Sequence, residues 1–284
     1  MQDGSIYSEY RLRDASAGRE VQSAVGLRNG WRISEGLRLV TNVERLNTSG
    51  GSASAMGLGV EYTASELWKG SSRFEWRQDA TNTNYLLTLG VARKLDRNWT
   101  LIGRDYLNLV DPKATGPGRR QNQLQVGFAY RPVDNNKFDA LGLYERKSER
   151  DTAAGLNSTT DIVSLRANYH PTRVWWVSGR YALKRVDELL LGTIQDSYHA
   201  QLFGSRVTYD VSNRWSVGAL ATVLVGKGGA RQYAYGVEVG YVVVDNLWVT
   251  LGYNFRGFRD DELTGSDYTN RGWVLGMRYK FDED

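Results

Sequence analysis

Few side chains in this sequence are suited to chemistry. It holds two histidines, His170 and His199, and no cysteine. A multi-histidine metal centre, a thiolate site and a disulfide scaffold are therefore excluded. His199 follows closely on Asp196 and Ser197, residue types that serve as general base and nucleophile. No second segment supplies a matching partner, so the group reads as a polar rim at a strand end. His170 precedes Pro171 in a short turn. Asp260, Asp261, Glu262 and Asp267 carry oxygens that could meet Ca²⁺, but their spacing departs from a calcium loop, and they read as a solvated loop. Gly226-Lys227-Gly228-Gly229 lacks the upstream glycine and the following Ser or Thr of a phosphate loop, and reads as a turn. No catalytic residue, metal or cofactor is expected, and the chain does not read as an enzyme.

The remaining chemistry is charge. Among 284 residues, 36 Lys and Arg stand against 32 Asp and Glu, a formal net charge of +4. The basic residues are spread singly rather than in blocks, so a nucleic-acid partner is not expected. Mean hydropathy is −0.49 and no run approaches 18 apolar residues, which excludes helical membrane spans. A membrane barrel is not excluded, because it needs apolar residues only at alternate positions. Met1 to Ser5 shows no charged and apolar leader, and the expectation is a mature or engineered start rather than a protein that is not exported.

Period-2 alternation positions these charges. Leu124, Val126, Phe128 and Tyr130 alternate with Gln123, Gln125 and Gly127; Val163, Leu165, Ala167 and Tyr169 with Ser164, Arg166 and Asn168; Leu247, Val249, Leu251, Tyr253 and Phe255 with Thr250, Gly252, Asn254 and Arg256. This is strand periodicity. Short turns such as Ser34-Glu35-Gly36, Asp96-Arg97-Asn98 and Val211-Ser212-Asn213 recur every ~30–40 residues, one hairpin apart. Longer Gly-, Ser- or Asp-rich connections alternate with them, at Thr48 to Ser54, Val110 to Gly118, Arg150 to Ser158, Asp187 to Gln195 and Arg259 to Thr269. The expected fold is all-β: one transmembrane antiparallel up-and-down β-barrel domain over 1–284, of about 16 strands, or about 14 with one hairpin misread. Aromatics bracket the short turns: Tyr62 and Trp68, Tyr130 and Phe138, Tyr169 and Trp175, Tyr209 and Trp215, Tyr241 and Trp248. Rings recurring at one end of a barrel form a membrane-interface girdle.

Alternation, two kinds of turn and recurring rings together resemble bacterial outer-membrane β-barrel proteins of the porin-like kind. The resemblance implies an outer-membrane address and contact with the lipid bilayer and lipopolysaccharide. It also implies a closing strand, Trp273 to Phe281, whose terminal aromatic Phe281 is read by the barrel-insertion machinery. Asp282-Glu283-Asp284 depart from that terminal signal. The last hairpin, from Gly252 to Glu262, also looks like the barrels that close very large bacterial surface proteins. On that reading the chain is an anchor or export barrel passing a translocated chain.

With the apolar face outward, Arg28, Arg38, Glu44, Glu61, Arg73, Glu75, Arg77, Arg166, Arg180, Glu238, Arg256 and Arg278 are expected to line the lumen. About 16 strands give a cylinder roughly 30 Å wide, too wide for side chains to fill. Connections of up to about 12 residues are too short to fold in as a plug. The expectation is a water-filled pore for small hydrophilic solutes, with a modest anion preference from the excess of arginine. Asp105 and Glu145 are expected on the outer face, where charge is costly.

Overall fold

The computed structural model describes residues 2–15, 18–48, 51–114, 116–244, 246–258, 263 and 270–279; the side chains of residues 2, 3, 10–15, 18–22 and 48 lie outside that description. Sixteen strands follow one another: β1 (Gln2–Ala15), β2 (Gly18–Ser34), β3 (Leu37–Thr48), β4 (Gly51–Tyr62), β5 (Trp68–Gln78), β6 (Asn82–Lys94), β7 (Trp99–Pro112), β8 (Arg119–Tyr130), β9 (Phe138–Asp151), β10 (Leu156–Tyr169), β11 (Trp175–Leu190), β12 (Ile194–Asp210), β13 (Trp215–Val225), β14 (Arg231–Val244), β15 (Leu247–Arg256) and β16 (Gly272–Tyr279). Each pairs antiparallel with its neighbours in sequence, in the order β1 to β16. The fold is the up-and-down barrel architecture read from the alternation. Among the described residues no ladder joins β1 to β16, and β16 behaves as an edge. Its outward Leu275 and Met277 are 75% exposed, against 42% for Leu165 in the middle of the sheet.

The strands start and stop for local reasons. In three short turns a side-chain oxygen accepts the amide of a tryptophan three residues on, fixing where the next strand begins. Ser65 Oγ takes the Trp68 amide at 3.3 Å, Asp96 Oδ1 that of Trp99 at 2.8 Å and Ser212 Oγ that of Trp215 at 3.1 Å. These Asx- and ST-type turns substitute side-chain for ladder hydrogen bonds. Gly36 turns β2 into β3 at φ +67, and a Cβ there would meet the Ala64 backbone at 2.2 Å. Both the left-handed conformation and the close approach demand glycine.

At the other end the strands run further than composition suggests. β9 reaches Asp151 and β11 reaches Leu190, because polar side chains continue a ladder as well as apolar ones once both faces are wet. The connection after β5 is held by Asp79, whose Oδ1 accepts the Thr81 and Asn82 amides, both at 2.7 Å. These amides, Asn82 first, hold the Asp79 carboxyl below its ordinary value of 3.8. A carboxyl depressed by folding stabilises the folded turn fully above pH 3.8, and the contribution is lost as pH falls through the lower folded value. Carboxyl-carbon NMR is expected to place the Asp79 midpoint below 3.8, moving part of the way up on Thr81→Pro, which removes one donor and leaves that of Asn82. A midpoint at or above 3.8 in the unaltered chain would contradict the bonded turn.

Candidate functional site

Ladder partners share a face, so the register assigns every side chain. One face is apolar and exposed across the sheet. Leu27, Val43, Leu58, Phe74, Leu89, Leu101, Val126, Val163, Phe203, Val217, Val239 and Leu251 are each between 42% and 51% exposed. A continuous apolar surface of this extent marks contact with lipid or protein. At its short-turn edge the rings meet across strands. Tyr62 stacks on Trp68 with centroids 4.3 Å apart, Trp99 meets Tyr130 at 4.8 Å, Trp175 meets Tyr209 at 4.7 Å and Trp215 meets Tyr241 at 4.6 Å. Tyr169 is on the same face, and Phe281 lies outside the described residues.

Trp248 departs from the girdle expected for it. It pairs with Val242 and Arg278 on the opposite, inner face, with the Arg278 guanidinium 5.4 Å over its ring. A register irregularity between Val242 and Val244 displaces the turn that seemed to align it with Tyr241.

The inner face gathers Arg28, Arg38, Glu44, Glu61, Arg73, Glu75, Arg77, Arg166, Arg180, Glu238 and Arg278. Arg256 is not among them. A bulge between Tyr235 and Gly236 sets it opposite Tyr235, and its guanidinium lies 5.6 Å over the outward Tyr233 ring. Glu145 is also corrected: it pairs with Gln125 and Ile162 on the inner face, where Gln123 donates to it and Lys147 stands at 3.5 Å. Asp105 does face outward, opposite Leu124, and accepts from Asn122 Nδ2 at 2.9 Å. It borders a 610 Å³ outer groove lined by Val60, Leu89, Val91, Gly103 and Leu124.

Two regions of the inner face differ in character. On β3 and β5 the charges of Glu44, Arg73, Glu75 and Arg77 satisfy one another. Arg73 and Arg77 hold Glu75 at 2.8 and 3.2 Å, Arg77 stands 3.7 Å from Glu44, and the Tyr7 hydroxyl donates to Glu44 at 2.6 Å. Tyr7 reaches Glu44 by lying flat over Gly26, where a Cβ would sit 2.4 Å from its ring. On β10 to β16 the face instead lines a 1270 Å³ cavity that reaches the short-turn residues Val211, Ser212 and Asn213. Arg166, Arg173, Arg180, Arg206, Arg214 and Arg278 line it, against Asp210 and Glu238. Arg206, Arg173 and Arg214 join the residues read from sequence. Arg206 was legible there, since it alternates with Val207 and Tyr209 as Arg166 does with Leu165 and Ala167.

Toward the long-connection end, two residues that follow β15 pack onto the inner face. β15 ends at Arg256 and β16 begins at Gly272. Leu263 is fully buried and Phe258 is 8% exposed. Both pack against Ile162, Ala182, Leu202 and Ala234, which are inward residues of β10, β11, β12 and β14. Arg180 Nη2 donates to the Leu263 carbonyl. On this side of the barrel part of the inner face is therefore covered. Asp260, Asp261, Glu262 and Asp267 lie outside the described residues.

The histidines assemble no catalytic set. Asp196 bonds Lys227 Nζ at 2.7 Å, and alternation turns it to the opposite face from Ser197 and His199. Its partner Lys227 belongs to a single 3-10 turn with positive φ at Gly228 and Gly229, the turn expected there. His170 Nδ1–H donates to the Asn136 carbonyl at 2.8 Å with its ring on Trp176. No cluster of metal-ligating side chains is present among the described residues.

No family model matches the sequence, and no curated protein does. Solved structures of similar architecture exist. OmpT, an outer membrane protein of Vibrio cholerae, is 10% identical, with 98% of this chain and 95% of that one covered and a TM-score of 0.45. A porin is 12% identical over 99% of this chain and all of its own, at a TM-score of 0.47. The unliganded ferric citrate transporter FecA is 12% identical over 97% of this chain and 55% of that one, at 0.49. The likeness is one of architecture.

Proposed function

We propose that the chain is an outer-membrane barrel that passes small hydrophilic solutes and favours anions. The observation that carries this reading is the contrast between the two faces. The outer is a continuous exposed apolar surface, while the inner borders a cavity lined by Arg166, Arg173, Arg180, Arg206, Arg214 and Arg278 against only Asp210 and Glu238. Excess fixed positive charge in a low-dielectric wall concentrates anions and raises their conductance. The aromatic pairs at the short-turn edge suit a girdle at the inner bilayer interface. Lipid, lipopolysaccharide and the barrel-insertion machinery are the partners this reading requires.

Planar-bilayer recording tests it. A stable current at low voltage is expected, with a reversal potential toward that of chloride in a KCl gradient. The bias should weaken with salt, since the Debye length falls from about 10 Å at 0.1 M to about 3 Å at 1 M. Arg166→Glu with Arg206→Glu is expected to abolish or invert it. A stably inserted barrel that stays silent would sink the pore and favour an anchor or export barrel for a larger surface polypeptide.

A further inference from the structure

Anion preference along a pore is a diffuse property, whereas the cavity beneath β10 to β16 is a local one. Arg166 and Arg180 are direct ladder partners on the inner face, and like charges placed opposite each other in a sheet are destabilising. Arg206 stands diagonal to Arg180 across Gly204. Glu238 answers Arg206 at 3.3 Å. Arg166, Arg173, Arg214 and Arg278 have no ion-pair partner among the described residues, yet all line the same cavity. Ser178, Thr208, Asn168 and Thr250 add neutral hydrogen-bonding groups, and Trp176 and Trp248 add aromatic faces. The cavity reaches the short-turn residues Val211, Ser212 and Asn213, while Arg180 and Leu202 in its wall touch Leu263 and Phe258 toward the other end.

We propose that this vestibule is a binding site for a small multivalent anion bearing phosphate or carboxylate groups, entering from the short-turn side. The proposal rests on the anion-selective reading but goes further, because it names a site, a valence and a side. Guanidinium groups match phosphate and carboxylate oxygens in bidentate pairs. Several of them around one concave space favour a ligand with more than one anionic group over chloride. Phe258 and Leu263, packed on the inner wall beyond Arg180 and Leu202, narrow the way onward, so such a ligand dwells.

The probe is inorganic pyrophosphate, with inorganic phosphate as the single-group comparison, at constant ionic strength. Pyrophosphate added on the short-turn side is expected to reduce chloride current at a concentration at least about ten-fold below that needed for phosphate or for addition on the other side. Arg166→Gln and Arg278→Gln should each raise that concentration about ten-fold, the scale of one charge-assisted hydrogen bond. Arg150→Gln, on the outer face, should leave it unchanged. Chloride-selective channels indifferent to pyrophosphate would overturn the site and leave the pore standing. If no channel conducts, calorimetry on the detergent-solubilised chain decides: salt-sensitive pyrophosphate binding lost in Arg166→Gln supports the site, and its absence overturns it.

Discussion

Leu263→Asp is expected to raise single-channel conductance while leaving the folded barrel intact. Leu263 is fully buried among Phe258, Ile162, Ala182, Leu202 and Ala234, and burying a leucine side chain contributes about 1.5–3 kcal/mol. The substitution removes that gain and places a carboxylate among apolar side chains, a cost of several kcal/mol that Arg180, held on the Leu263 carbonyl, offsets only in part. Leu263 can relieve this cost by leaving the pocket, because it belongs to no strand ladder. A change of about 3 kcal/mol shifts the occupancy of the packed state more than 100-fold. Phe258→Asp should act in the same direction, and Leu263→Met should change little. The readout is conductance per channel, alongside heat-modifiable migration as a measure of folding. Unchanged conductance in a folded Leu263→Asp barrel would mean that this packing does not limit flow.

That packing was the part of the site least legible in the sequence. The last connection is rich in Asp, Arg, Gly and Thr, so it reads as solvated, and nothing local reveals that Phe258 and Leu263 meet inward residues contributed by four separate strands. The strand order was fully legible, because alternation and turn spacing are local properties. Most of the inner face followed from the same period. The exceptions each break the period for a physical reason. Arg256 is moved by a bulge, which carries no reliable sequence mark here. Glu145 sits in β9, where the usual contrast between faces is reversed. The inner face holds Leu141 and Leu143, while the outer holds Gly142, over which the Phe128 ring lies, and the polar Arg146. Trp248 could have been placed correctly, since Leu247 and Val249 already claim the apolar face on either side of it. Its proximity to Tyr241 across the turn was the weaker argument.

Val126→Arg against Gln125→Arg tests the division of faces on which both the pore and the vestibule depend. The two positions are adjacent in β8, so strand propensity, local ladder and added charge are matched. Val126 is outward and 50% exposed, between Gly103 and Tyr144. It stands four residues above Tyr130 in the ring-bearing edge, or about 10 Å along the barrel axis at a tilt near 40°. That depth is near the middle of an apolar band about 25 Å tall. Gln125 is inward, between Arg104 and Glu145, where water and Glu145 can meet a new guanidinium and offset the like charge of Arg104. Arginine at the bilayer midplane costs about 2–4 kcal/mol, whereas an exposed substitution in water stays within about 0.5 kcal/mol. Folding equilibria in phospholipid vesicles should therefore separate the variants by at least about 2 kcal/mol, with Val126→Arg the less stable. In a water-facing sheet the order would vanish, because both arginines would be solvated. Equal stabilities in lipid would remove the hydrocarbon from the outer face, and with it the reason for the inner face to hold water and arginine.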